Sequence, residues 1–234
     1  MCYNLGMDKN FKTRFVVGLS MFMVALVGLY TFDGMPFRVI YALFVIVAGM
    51  ELMSFFRRRR SFNNTILAIL EFGFLYCSIL FVAQVDVVQF WYVILGVPGY
   101  DIFAYLFGKL WGGKIIKKSR PFPRISKNKT WEGTCLGLVM AMGMVTILMV
   151  MRGSFASEWF YLLCGPLALI GDLFESYLKR RFGVKDSNEI VIKYPAFKGL
   201  EALVGGSEGH GGFLDRVDST AFATTILLII SSLG

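Results

Sequence analysis

The stretch GTCLGLVMAMGMVTILMVM, from Gly133 to Met151, contains no charged side chain. As an α-helix rising about 1.5 Å per residue, it is long enough to cross a hydrocarbon layer about 30 Å thick. A helix on the surface of a soluble domain would need a polar face, and this one has none. The segment therefore predicts a membrane span, and the rest of the chain is read outward from it.

Phe15 to Phe32 is likewise uncharged, while Val39–Phe56, Thr65–Val85 and Val87–Gly108 carry one acid each: Glu51, Glu71 and Asp101. Trp159–Gly171 is apolar but short and runs directly into Asp172, and Ser219–Gly234 carries no charge. Together these blocks predict an all-α polytopic membrane protein of about seven transmembrane helices. Composition agrees, since 56% of the 234 residues are hydrophobic, against roughly 45–50% in a soluble domain. Lys9, Lys12 and Arg14 precede the first block as they would in a secretory signal. That block is too long for one and no small-x-small cleavage pattern follows, so it is expected to stay as an anchor. Cys2, Cys77, Cys135 and Cys164 show no paired metal-type spacing, and the last three are expected to be small buried hydrophobes.

The net charge of +8 invites a nucleic-acid reading, but the placement of the cations favours a membrane one. In a seven-span arrangement one side receives three cations before the first span, four at Arg57–Arg60, eight from Lys109 to Lys129 and seven from Lys179 to Arg216. Only Arg38 and Arg152 fall on the other side. By the positive-inside rule the N-terminus and the basic loops are cytoplasmic. Arg57–Arg60 is read as a topological anchor, no nucleic-acid partner is expected, and no internal repeat or flexible linker divides the chain. It is treated as one membrane domain, with low-specificity spans over 1–97 and a catalytic region over 98–220.

Charges at membrane depth are costly, by roughly 2.5–3.5 kcal/mol each on insertion scales, so Asp101, Asp172 and Glu175 need a reason. A carboxylate near a helix end can also simply reach interfacial water or a lysine. On a continuous helix, Asp172, Ser176 and Lys179 fall at i, i+4 and i+7 and share one face. Asp101, Tyr105 and Gly108 form another stripe, and Pro98 or Gly165–Pro166 can bend their helices to open a cavity. Asp215 and Asp218, three apart, can point two carboxylates at a hard cation such as Mg2+. Just before them, Gly209-His210-Gly211-Gly212 supplies backbone that can approach phosphate oxygens, and His210 is the only histidine. Ser126 to Gly133 (SKNKTWEG) gathers cations and hydroxyls at the mouth of a span, as phosphate binding or an interfacial Trp131 would require.

These residues resemble the phosphatidate cytidylyltransferases, also called CDP-diacylglycerol synthases. The signature Ser-x-x-Lys-Arg, Lys-Asp, His-Gly-Gly-x-x-Asp-Arg-x-Asp is met by Ser176, Lys179, Arg180, Lys185, Asp186, His210, Gly211, Gly212, Asp215, Arg216 and Asp218. Asp101-Ile-Phe-Ala-Tyr105 with Gly108, and Asn128-Lys129-Thr130-Trp131-Glu132-Gly133, also match. The resemblance covers roughly 98–220, and Asn188–Glu208 departs from it as an insertion.

The resemblance implies transfer of CMP from CTP to phosphatidate, giving CDP-diacylglycerol and pyrophosphate in a cavity open to the cytoplasm. It implies Asp172, Asp215, Asp218 and Asp186 as Mg2+ ligands, with a second metal ion left open. Lys179, Arg180, Lys185 and His210 complete the catalytic set. Asp101, Tyr105, Asn128, Lys129, Thr130, Ser176, Gly211, Gly212 and Arg216 would bind nucleotide or phosphate. A homodimer in the bilayer is implied as well, in the inner membrane if the source is bacterial. The rival readings are the same CTP chemistry on an ether-linked or isoprenoid lipid, an ion or proton transporter, and a non-catalytic scaffold. The transporter gives no reason for the glycine-histidine loop beside Asp215 and Asp218, and a scaffold would tolerate Asp215→Asn or Lys179→Ala without loss of function.

Overall fold

A computed structural model describes residues 35–58, 62–116, 120–123, 125–126, 129–182 and 214–233, without the side chains of residues 36, 37, 54–58, 62, 215 and 216. Every regular element among the described residues is helical: α1 (Met35–Arg58), α2 (Phe62–Gln84), α3 (Val87–Trp111), α4 (Trp131–Arg152), the short α5 (Phe155–Glu158), a 3-10 segment (Trp159–Leu163), α6 (Cys164–Phe182) and α7 (Leu214–Leu233). Four stretches are long and apolar enough to cross a membrane: Asn63–Gln84, Val87–Trp111, Trp131–Arg152 and Phe155–Phe182. The chain is a helical membrane protein. The expected first span, Phe15–Phe32, lies outside the described residues. Val39–Phe56 falls within α1, and the last block forms α7, whose apolar part is the shorter Val217–Leu233.

The sixth apolar block leads into a helix that continues through Asp172 and Glu175 to Phe182, so the continuous helix expected to carry Asp172, Ser176 and Lys179 is present. The 3-10 segment lies just before Gly165–Pro166, where a proline in the first helical turn removes no needed donor. Helix α3 likewise runs unbroken through Pro98.

Helix α4 shows how an all-apolar sequence is used. Ala141, Val145 and Met149 are fully buried, whereas Val139, Ile147 and Val150 are nearly two-thirds exposed. Both faces are apolar, as expected when one faces protein and the other lipid. Cys164 is buried as predicted, but Cys135 is on the exposed face of α4 and Cys77 is only partly covered. In a lipid-facing position, burial by protein is not what makes a thiol tolerable.

The chain ends of the helices segregate by charge. Arg38, near the start of α1, donates to the Val85 carbonyl after α2 at 2.8 Å. Tyr92 near the start of α3 hydrogen-bonds Ser154 and Glu158 at 2.8 and 2.9 Å, just beyond α4. At the opposite ends of these helices stand Lys109 and Lys114 after α3, Lys129 before α4, and Lys179, Arg180 and Arg181 at the C-terminus of α6.

Helices α3 and α4 pack most intimately because small residues face each other. A Cβ built on Gly137 would lie 2.9 Å from the Cα, N and Cβ of Ala104, and one on Gly133 would lie 2.5 Å from the Ala104 carbonyl oxygen. Two small-x-x-x-small pairs, Ala104/Gly108 and Gly133/Gly137, thus let the backbones touch. We expect Gly137→Ala to lower the melting temperature in detergent, by an overpacking cost of about 1–3 kcal/mol. Gly143→Ala, where a Cβ meets nothing within 4 Å, should leave it unchanged or raise it.

Candidate active site

The close α3–α4 crossing brings the C-terminal half of α3 beside the loop that enters α4. Thr130 is the N-cap of α4, its hydroxyl accepting from the Gly133 N–H at 3.2 Å. Glu132, buried in the first turn of α4, fastens the other end of the connection. One of its carboxylate oxygens accepts from the backbone N–H groups of Gly113, Ile115 and Ile116 at 3.0, 3.1 and 2.9 Å. Gly113 takes a positive φ of 74°, which a residue with a Cβ adopts only with strain. The loop is therefore anchored at both ends.

Between these elements lies a cavity of about 470 Å³, within the roughly 300–1,000 Å³ range of small-ligand sites. Its walls are Asp101, Ala104, Tyr105, Gly108 and Lys109 of α3, Ser126, Lys129 and Thr130 of the loop, Thr134 of α4 and Asp172 of α6. Two carboxylates, two ammonium groups and several hydroxyls thus line one space.

Lys129 sits at its centre of charge. Its ammonium is paired with the Asp172 carboxylate, donates to the Tyr100 hydroxyl at 3.4 Å, and lies 5.3 Å from the centre of the Tyr100 ring. Burial works against the charge of Lys129, but the Asp172 carboxylate and neighbouring groups outweigh it and hold the ammonium above the ordinary lysine value. Lys129 is therefore cationic at neutral pH. Asp101 is within electrostatic reach of Asp172, Lys129 and Asp218.

Of the residues singled out in the sequence, Asp101, Tyr105, Lys129, Thr130 and Asp172 meet in this cavity, and the Asp101–Tyr105–Gly108 stripe is realised. Ser176, Lys179 and Arg180 are on α6 beyond the described lining. Lys179 pairs with Glu175 at 2.8 Å, a partner that the i, i+4, i+7 reading passed over. Asp215, Arg216 and Asp218 stand in the first turns of α7. Asp218 is buried, and the side chains of Asp215 and Arg216 lie outside the described residues. So do Asn128, Lys185, Asp186, His210, Gly211, Gly212 and the Asn188–Glu208 insertion.

Tyr100 was missed by the sequence reading. It is fully buried, and its place next to Asp101 after Pro98–Gly99 was the available signal. Glu132 was read only as part of a cluster, although an acid at the first turn of a helix commonly binds backbone N–H groups.

Hard oxygen donors suit Mg2+, which is usually held by one or two carboxylates together with substrate phosphates and water. Asp101 and Asp172 meet that description within one cavity. Among the described residues, no three acid, histidine or cysteine side chains converge on a point; the side chain of Asp215 and all of Asp186 lie outside them.

Residues 83–192 match the family model for the cytidylyltransferase family. The chain is 39% identical over 118 residues to a Helicobacter pylori phosphatidate cytidylyltransferase, covering 49% of this chain and 38% of that protein. A second Helicobacter pylori phosphatidate cytidylyltransferase is 38% identical over 126 residues, covering 53% and 41%. The chain thus aligns with about two-fifths of the length of these two relatives. With the phosphatidate cytidylyltransferase of Rickettsia felis the similarity is end to end: 30% identity over 251 residues, covering 98% of this chain and 96% of that protein.

If Glu132 anchors the loop, Glu132→Ala should speed amide exchange at Gly113, Ile115 and Ile116 about tenfold or more, a loss of roughly 1.4 kcal/mol of local protection. Exchange in the middle of α4 should not change. Hydrogen–deuterium exchange in detergent reads both.

Proposed function

The chain belongs to the cytidylyltransferase family, and on that premise we propose that it transfers CMP from CTP to phosphatidate, releasing pyrophosphate and forming CDP-diacylglycerol. The observation that carries the reading is the cavity in which Lys129 and Lys109 stand with Asp101 and Asp172 among hydroxyl groups. An ion or proton transporter also places carboxylates such as Asp101 and Asp172 in a bundle, but hydroxyl donors beside two lysines and two acids match what a polyphosphate and its cation need.

In this reading a phosphatidate phosphate oxygen attacks the α-phosphorus of CTP. A new P–O bond forms, the bond to the β-phosphate bridging oxygen breaks, and pyrophosphate leaves with its electron pair. Both reactants are anions, so the protein must first offset their repulsion. Lys129 and Lys109 supply charge at the cavity, and Ser126, Thr130 and Tyr105 supply hydroxyl donors. Lys179, Arg180, Lys185 and Arg216 extend the phosphate-binding set. The backbone at Gly211 and Gly212, with Asn128 and Ser176, offers further hydrogen bonds, and His210 orients a phosphate oxygen. The lipid phosphate is already a competent nucleophile near neutral pH, so positioning carries the catalysis rather than a strong base.

Mg2+ when bound neutralises charge on the triphosphate and steadies the leaving group. Asp172 with Asp215 and Asp218 would hold it, Asp186 and the cavity-facing Asp101 being further donors. By the cation count, the mouth faces the cytoplasm, on the inner membrane in a bacterium; a homodimer follows from the family resemblance alone.

Purified protein given phosphatidate, CTP and Mg2+ should form CDP-diacylglycerol, and chelation should abolish it. Lys129→Met and Asp172→Asn should each lower kcat/KM about 100-fold or more, roughly 2.7 kcal/mol of transition-state stabilisation. Product from an ether-linked or isoprenoid acceptor but not from phosphatidate would reassign the substrate, and unchanged rates in both variants would remove the cavity from the chemistry.

A further inference from the structure

Helices α1 and α2 lie within the low-specificity part of the sequence, yet each sends a buried carboxylate toward the first turns of α7. Glu51 of α1 and Glu71 of α2 are both 2% exposed. One Glu51 oxygen accepts the backbone N–H of Leu214 at 2.9 Å, across 163 residues of sequence. Glu71 lies within electrostatic reach of Asp218.

The first N–H groups of a helix have no partner within it, and away from water they must find one elsewhere. A carboxylate is the favoured partner, because it also meets the positive end of the helix dipole. A buried carboxylate needs polar partners, and the Leu214 N–H is one that Glu51 has. Leu214 is itself 1% exposed, so the joint is enclosed by protein. The next residue is Asp215 and the next buried acid on the helix is Asp218.

We propose that Glu51 is a positioning residue: by holding the Leu214 N–H it sets the height and rotation of α7, and hence the placement of Asp215 and Asp218 at the site. The inference rests on the reading of those two acids as part of the metal-binding set. It gives the N-terminal helices a role in the chemistry through a hydrogen bond to backbone, which leaves no motif.

Two variants separate this role from mere packing. Glu51→Gln keeps an acceptor oxygen and loses the charge; Glu51→Met keeps the length and loses the acceptor. Each is purified as the full chain and read in two ways: the Mg2+ concentration giving half-maximal thermal stabilisation, and kcat for CMP transfer. Glu51→Met should raise the first and lower the second about tenfold, while Glu51→Gln stays within about threefold of the unmodified protein on both. Unmodified values in Glu51→Met, or Glu51→Gln falling as far as Glu51→Met, would overturn the proposal. If Glu51→Met does not fold, Glu51→Gln decides, since a Mg2+ midpoint shifted beyond threefold contradicts it and one within threefold supports it. An unmodified protein that is inactive on phosphatidate, but whose Mg2+ midpoint moves in Glu51→Met alone, would sink the substrate assignment and leave the positioning role standing. Absence of any Mg2+ stabilisation of the unmodified protein would overturn the role itself.

Discussion

The site depends on two helix backbones being allowed to touch. Where Gly133 and Gly137 of α4 cross Ala104 and Gly108 of α3, there is no room for a side chain between them. Lipid offers no hydrophobic force to drive helices together, so close van der Waals contact between small residues is what fixes such a crossing. The crossing lies one to two turns from Asp101, and Lys129 and Thr130 immediately precede α4. A wider crossing would pull Lys129 away from Asp101 of α3, with which it shares the cavity.

On that frame the electrostatics are a balance among few groups. Lys129 is held between the Asp172 carboxylate and the Tyr100 ring and hydroxyl, in a cavity that also contains Asp101. Breaking such a partly buried pair by removing one member leaves the other charge uncompensated, and that costs more than losing an exposed pair. In the proposed reaction, a polyphosphate with its cation would add both signs at once and so enter without stripping any one protein charge of its partner.

Much of this could be read from the chain, and the reasons are local. Uncharged runs such as Gly133–Met151 announce helices because only a helix satisfies its own backbone in lipid. The stripe Asp101–Tyr105–Gly108 was legible because helical period alone puts those residues on one face. What could not be read depends on which helices become neighbours. The Lys129–Asp172 pair joins a loop to a helix more than forty residues later, and the Glu51 contact to Leu214 uses a main-chain donor that every residue has. In the bundle Glu175 is buried against Lys179, a pairing that the stripe Asp172–Ser176–Lys179 does not include.

The central claim is that the nucleotidyl group, and not a phosphoryl group, is moved onto a lipid. It is tested most directly by giving the purified protein phosphatidate and CTP labelled with ³²P at either the α or the γ position. The account predicts that the α label appears in the lipid phase and the γ label stays in water as pyrophosphate. Transfer of the γ label to lipid would contradict it, because the same cavity would then be serving a kinase.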